Sequence, residues 1–77
     1  MRDTLYLDWA SRLRSHRLDA GLSQSALADV AGCTKAHVSN IERGITGVSD
    51  MLRMRLAAAL GTTAAELFPY PDADRVA

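Results

Sequence analysis

The sequence predicts an all-α protein made of five short helices. No segment alternates apolar and polar residues with the period of a strand, and aromatic residues are only 5% of the chain. Three stretches place apolar residues at helical spacing between a hydroxyl residue and a glycine. With 77 residues the chain can form one domain, which we assign to residues 1–70, and we expect 71–77 to be a flexible tail.

The first helix is predicted in the segment "LDWASRLRSHRLDAG". Its spacing places Trp9, Leu13, His16 and Arg17 on one face, and Gly21 ends it. We expect Trp9 to lie in the core or an interface and His16 to be partly buried.

Two further helices follow, separated by only two or three residues, which predicts a helix-turn-helix unit. Ser23 begins the first of them and Gly32 ends it, whereas Thr34 begins the second and Gly44 ends it. The buried residues expected in the first are Leu27, Val30 and Ala31.

A fourth helix is predicted between Ser49 and Gly61, and a short fifth helix between Thr62 or Thr63 and Pro69. The apolar contacts expected from the fourth helix are Met51, Leu52, Leu56, Ala59 and Leu60.

The third helix has a polar face that is unusual for a simply solvated surface. Val38 and Ile41 are its large apolar residues and must face the core, and Glu42 points inward beside Val38. The free face carries a small residue, a hydroxyl, an amide and a guanidinium, namely Ala36, Ser39, Asn40 and Arg43, and Lys35 lies on its flank near the helix start. An amide can pair with adenine, a lysine with guanine and an arginine with a phosphate, so this face suits the major groove of DNA.

The residues "GLSQSALADVAGCTKAHVSNIERG" resemble the helix-turn-helix of the phage-repressor family, the Cro-like or xenobiotic-response-element type. The family pattern has small or apolar residues at fixed offsets, and "LAAALGTTAAELF" resembles its closing helices, so the likeness spans about residues 9–68. The matching positions are Leu27, Ala28, Gly32, Cys33, Val38 and Ile41. The resemblance implies a five-helix fold like that of lambda repressor and a sequence-specific transcriptional regulator, most simply a repressor.

The resemblance also implies roles for individual residues. Base-contacting positions are Lys35, Ala36, Ser39 and Asn40. Phosphate-contacting positions are Gln24 and Arg43, to which we add Arg14 and Thr34. Arg17 and Glu42 match an ion pair that ties the first helix to the recognition helix, residues 34–43. The sequence departs from the family at Ala36, at His16 and in the loop "GITGVSD", which lacks the usual basic residues.

One such module contacts only a few base pairs, so we expect a homodimer on a palindromic operator of double-stranded DNA. The expected interface is Met51, Met54, Leu67, Phe68 and Tyr70, with an N-terminal arm of Leu5, Tyr6 and Leu7 as the alternative.

Composition excludes several other classes. The formal net charge of zero argues against a polybasic binder, and no apolar run approaches the length of a membrane span or a secretory signal. The single cysteine, Cys33, allows no internal disulfide, which favours a cytoplasmic protein. The family resemblance further implies a nucleoid-associated protein of a prokaryote or phage. We expect Cys33 to be structural, and neither His16 nor His37 has the spacing of a metal site.

Paired catalytic groups and phosphate loops are not evident either, so we expect no enzyme, cofactor or small-molecule substrate. The remaining alternative is a helical protein–protein adaptor, or an antitoxin-type module that binds a partner through the same fold. Its exposed face would be apolar or acidic, whereas the third helix here is polar and cationic.

Overall fold

The computed structural model describes the backbone of residues 2–70 and the side chains of residues 4–70, so the expected tail at 71–77 lies outside the described residues. Within that range the chain forms five helices and no strand, which confirms the predicted fold class. The helices are α1 (Arg2–Asp19), α2 (Gln24–Ala31), α3 (Lys35–Glu42), α4 (Asp50–Ala59) and α5 (Ala64–Leu67).

The helix starts follow the predicted N-caps. The side-chain oxygens of Ser23, Thr34, Ser49 and Thr63 each accept a hydrogen bond from the backbone N–H three residues on, at 3.0–3.3 Å. Each cap satisfies one of the free amides of a first turn, which typically contributes about 1 kcal/mol to stability. Thr63, rather than Thr62, begins the fifth helix.

The turn between α2 and α3 depends on Gly32. Its φ of 76° is left-handed, a conformation that side chains with a Cβ rarely adopt. This single reversal lets the Cys33 N–H bond to the Ala28 carbonyl at 2.9 Å, closing α2 before Thr34 caps α3. The two helices are therefore joined by a very short link and pack directly on each other.

The start of α1 differs from the sequence prediction. The helix begins at Arg2, five residues before the predicted segment. Leu5 and Tyr6 are partly buried and pack against the core, so tertiary contacts extend the helix beyond its clear apolar periodicity.

The core lies between α1, α2, α3 and α4 and is closed by α5. The face predicted for α1 is correct in that Trp9, Leu13 and Arg17 are buried and His16 is partly buried. The fully or nearly fully buried apolar residues of the core are Trp9, Leu13, Leu27, Ala28, Ala31, Val38, Ile41, Leu52, Leu56, Ala57, Leu67 and Phe68.

One apolar residue expected in the core, Val30, is instead exposed. Val30 is 65% exposed, because Leu27, Ala28 and Ala31 define the buried arc of α2 and Val30 lies about 100° away from the centre of that arc. Met51, which we also expected at a dimer interface, is 63% exposed, because α4 turns Leu52 and Leu56 inward.

Leu67 and Phe68 were expected at a dimer interface, and the structure corrects this. Both side chains are fully buried, because a chain this small needs them to close its core. The Phe68 ring packs edge-on against Trp9 with centroids 5.5 Å apart, and the Trp9 Nε1–H donates to the Pro69 carbonyl at 2.8 Å. The end of the described chain is thus bound to α1. None of the described helices combines the length and apolarity needed to cross a lipid bilayer.

Candidate nucleic-acid interface

The recognition helix is oriented by its two large apolar side chains. Val38 and Ile41 are completely buried. On the other side of α3, Lys35 and Ala36 are exposed, and Ser39 and Asn40 are partly exposed. The four expected base-contacting residues therefore lie on one accessible face and are not covered by the protein's own packing.

Glu42, the only carboxylate of α3, is turned into the protein. Arg17 donates to it twice, from Nε to Oε2 at 2.7 Å and from Nη2 to Oε1 at 2.9 Å. Only 10% of the Arg17 side chain and 4% of the Glu42 side chain are exposed. The ion pair that the family resemblance implies is therefore present, and these hydrogen bonds hold the pKa of the Arg17 guanidinium above its usual value.

The same network reaches the start of α2. Gln24 donates from Nε2 to Glu42 Oε1 at 3.1 Å, and Arg17 donates from Nη1 to the Leu22 carbonyl at 2.9 Å. Three segments, the end of α1, the start of α2 and the end of α3, thus share one hydrogen-bonded cluster. We call Arg17, Gln24 and Glu42 the brace.

The brace changes the electrostatics of the exposed face. Because Arg17 neutralises Glu42 inside the protein, the exposed side chains of α3 and its cap carry only positive charge, from Lys35 and Arg43. A chain without net charge can in this way present a cationic face to a polyanion.

Thr34 and Arg14 complete the set of expected phosphate contacts. The Thr34 hydroxyl accepts the His37 N–H at 3.1 Å, which leaves its own proton available to a phosphate oxygen. Arg14 is exposed on α1, and no hydrogen bond or ion pair among the described residues links it to the brace. Its role stays a prediction.

The other polar candidates have structural surroundings. Cys33 is partly buried beside the core, and burial raises the pKa of its thiol. A ring nitrogen of His16, Nδ1, lies 2.9 Å from the Arg12 carbonyl, whereas His37 is exposed at the edge of α3. Among the described residues, no group of three or more His, Cys, Asp and Glu side chains is placed to hold a metal ion.

Sequence reasoning missed the contact between α1 and the loop after the recognition helix. A Cβ on Gly47 would lie 2.6 Å from Tyr6 Oη, and one on Gly44 would lie 2.7 Å from Leu7 Cδ2. The two glycines of "GITGVSD" were the available signal, but the sequence alone does not show what approaches them.

Comparison with known proteins agrees with this geometry. A family model described as a helix-turn-helix domain matches residues 9–68. This chain belongs to that helix-turn-helix family. It is of the xenobiotic-response-element type that its motif resembles. No curated protein matches the chain by sequence.

Several solved helix-turn-helix structures share the fold. The restriction-modification controller protein C.AhdI from Aeromonas hydrophila is 36% identical, with a TM-score of 0.81 over 86% of this chain and 96% of that chain. The clp gene regulator ClgR from Corynebacterium glutamicum is 32% identical, with a TM-score of 0.78 over 82% of this chain and 67% of that chain. A hypothetical transcription factor, NHTF, from Neisseria is 30% identical, with a TM-score of 0.81 over 99% of this chain and 86% of that chain.

These similar proteins carry the names of regulators, and the family model spans most of the chain. The helix-turn-helix protein described here is a DNA-binding transcriptional regulator.

Proposed function

We propose that this regulator is a repressor that binds a palindromic operator as a homodimer, with α3 in the major groove. The observation that carries the proposal is the orientation of α3: Val38 and Ile41 are fully buried, while the polar face remains accessible. The protein acts by occupying nucleoid DNA in the cytoplasm rather than by catalysing a reaction.

Four residues contact bases in this proposal. Lys35 donates to guanine, and the amide of Asn40 both donates to and accepts from adenine. Ser39 adds a hydroxyl, and Ala36 lets the helix backbone approach closely or contacts a thymine methyl group. Support comes from their accessibility on one face of α3: Lys35 and Ala36 lie in its first turn, the part that enters the groove in helix-turn-helix proteins, and Ser39 and Asn40 lie one turn further on.

Phosphates are bound around this helix by Gln24, Thr34, Arg43 and Arg14. Gln24 is held against Glu42 at the start of α2, where free backbone amides also favour an anion. Arg43 is the C-cap of α3 and is exposed. These contacts set the position of the helix on DNA, whereas the bases determine the sequence.

The dimer forms through the exposed apolar side chains of Met51, Met54 and Tyr70. Met51 and Met54 are three residues apart on one face of α4 and are 63% and 67% exposed. The alternative N-terminal arm is less suitable, because Leu5 and Tyr6 already pack against the protein's own core. Two copies would place their recognition helices about 34–36 Å apart, one turn of DNA.

Selection of binding sites from random DNA duplexes tests the proposed function. We expect a palindromic consensus for the unmodified protein and a change at one symmetric base position for Asn40→Ala, with discrimination reduced by about 1–3 kcal/mol. Arg43→Ala is the matched control on the same helix and should weaken all sequences alike. An unchanged consensus for Asn40→Ala would show that the assigned face does not contact bases.

Sedimentation and half-site binding test the dimer. Met54→Glu should abolish cooperative binding to two half-sites and leave binding to a single half-site intact. Leu18→Glu is the matched control, because Leu18 is similarly exposed (56%) but lies on α1. Cooperative binding that survives Met54→Glu, or that is lost in Leu18→Glu, would contradict this interface.

A further inference from the structure

The loop between α3 and α4 is pressed against the first turns of α1. An ideal Cβ built on Gly47 would lie 2.6 Å from Tyr6 Oη, 2.9 Å from Cζ and 3.2 Å from Cε1. The first two distances are shorter than real Cβ atoms show, and the third is tighter than most Cβ contacts. The backbone of Gly47 therefore touches the Tyr6 ring directly, and there is no room for a side chain.

Gly47 differs in this respect from the other glycine of the loop. Gly44 has a φ of +74°, so its conformation alone favours glycine. Gly47 is not among the glycines with positive φ, so a left-handed backbone is not what favours glycine there. The close approach of Tyr6 is the structural reason for a residue without a side chain at this position.

The Tyr6 ring is itself held in place. It lies against the Trp9 ring, with centroids 5.8 Å apart, and the Trp9 indole N–H is bound to the Pro69 carbonyl at 2.8 Å. Trp9 is only 2% exposed. A displaced Tyr6 would lose its packing against the buried Trp9 ring, so we expect the loop to shift more readily than the ring.

The supported loop is directly connected to Arg43. The Gly44 N–H bonds to the Ile41 carbonyl at 3.0 Å and the Ile45 N–H bonds to the Asn40 carbonyl at 3.2 Å, which closes α3 immediately after Arg43. A shift of residues 44–47 is consequently transmitted to the Arg43 backbone within a few residues.

We propose that Tyr6 is a positioning residue for DNA binding: through Gly47 it fixes the loop after the recognition helix and thereby the contact of Arg43 with the phosphate backbone. This inference rests on the proposed function, because it needs Arg43 at a phosphate. It also gives a role to the first turns of α1, which the brace does not use.

The test is a set of double-mutant cycles on operator affinity and its salt dependence. Gly47→Ala should lower affinity about three- to tenfold and reduce the slope of log K against log salt by about one unit for each bound copy. In an Arg43→Ala background, the same Gly47→Ala change should alter the affinity by no more than about twofold. It should alter the salt slope by no more than about 0.3 unit.

Tyr6→Leu removes the same Tyr6–Gly47 contact from its other partner. It therefore keeps the test possible if the Gly47→Ala protein does not fold. It removes the ring atoms that face Gly47 while keeping an apolar side chain. We expect the same loss of salt slope, again absent in the Arg43→Ala background, and no further loss when Gly47→Ala is added. Circular dichroism melts establish the folded fraction of each variant at the assay temperature.

The outcomes separate this inference from the proposed function. If Arg43→Ala does not reduce the salt slope of the unmodified protein, the proposed phosphate contact fails, and this inference fails with it. If Arg43→Ala reduces the slope but Gly47→Ala and Tyr6→Leu act independently of Arg43, only the positioning role is overturned. A structural contact without this role would lower the melting temperature and leave the salt slope unchanged.

Discussion

Two arginines with little exposed side chain, the buried Arg17 and the partly buried Arg53, connect segments of the described chain, and their hydrogen-bonding groups are satisfied to different degrees. Arg17 uses Nε, Nη1 and Nη2 in three hydrogen bonds, and its partner Glu42 is as buried as Arg17 itself. Arg53 bonds through Nη2 to Asp50, whose side chain is 86% exposed, and through Nη1 to the Phe68 carbonyl at 3.3 Å. Its buried Nε has no hydrogen-bond partner among the described residues.

The difference between the hydrogen bonding of Arg17 and that of Arg53 corresponds to a difference between two sides of the molecule. The side that carries α3 is fixed by the brace, which joins three segments of the chain. The side that carries Arg53 is held by weaker contacts, including the Tyr70 ring, whose centroid lies 5.0 Å from the Arg53 guanidinium carbon. Met54 and Tyr70 remain exposed there. The comparison indicates that the side around α3 is more firmly held than the side around Arg53, which fits the proposed use of α3 on DNA and of Met54 and Tyr70 in a dimer.

The largest expected effect is the loss of Arg17. Arg17→Met leaves Glu42 buried without its partner, so the free energy of unfolding should fall by about 3–5 kcal/mol in urea or thermal denaturation. Glu42→Gln should lose less, because an uncharged amide is easier to bury than an unpaired carboxylate. If Arg17→Met cost under about 1 kcal/mol, the brace would not be the rigid element described here.

Arg53 should be far less sensitive. Arg53→Met removes the unpartnered Nε and an ion pair with an exposed carboxylate, and it keeps most of the apolar side chain. We expect the free energy of unfolding to change by less than about 1 kcal/mol in the same denaturation measurement. A loss as large as that of Arg17→Met would remove the contrast between the two sides.

The smallest expected effect concerns the reactivity of Cys33, which lies on the side of the molecule that carries α3 and the brace. Because burial raises the pKa of its thiol, less thiolate is present at pH 8 than in an unfolded chain. Iodoacetamide should therefore label Cys33 more slowly in the native protein than in urea. The raised pKa also makes the free energy of unfolding depend on pH. The contribution of the Cys33 thiol to that free energy is fully present below the pKa of the unfolded thiol and is lost as pH rises through the pKa of the folded one.

Equal labelling rates in the native protein and in urea would contradict the partial burial of Cys33. A control at pH 6 compares the same two states when the Cys33 thiol is mostly protonated in each. There the part of the rate difference that comes from the pKa should shrink, and the part that comes from limited access of the reagent should remain.

Local signals made much of this fold predictable. The hydroxyl caps and closing glycines gave the ends of α2, α3 and α4 almost residue by residue, because caps act through neighbouring backbone groups. The inward direction of Glu42 also followed from helical period alone. Its pairing with Arg17 required the family resemblance, since the two residues are 25 positions apart.

What the sequence did not predict depends on contacts between distant segments. The early start of α1 and the close approach of Tyr6 to Gly47 arise from packing that no local pattern records. Leu67 and Phe68 were expected to be spare apolar surface at a dimer interface, yet here they complete the core. Val30 was expected in the core and is exposed, because helical spacing does not show where the edge of a buried face lies.

The inward turn of Glu42 has a consequence for the encounter with DNA. A carboxylate on the outer face of α3 would repel DNA phosphates and offset one of the cations at Lys35 and Arg43. Turned inward and paired with Arg17, it leaves that face attractive to a duplex of any sequence. Because the chain has no net charge, this attraction favours the encounter orientation in which α3 faces the duplex.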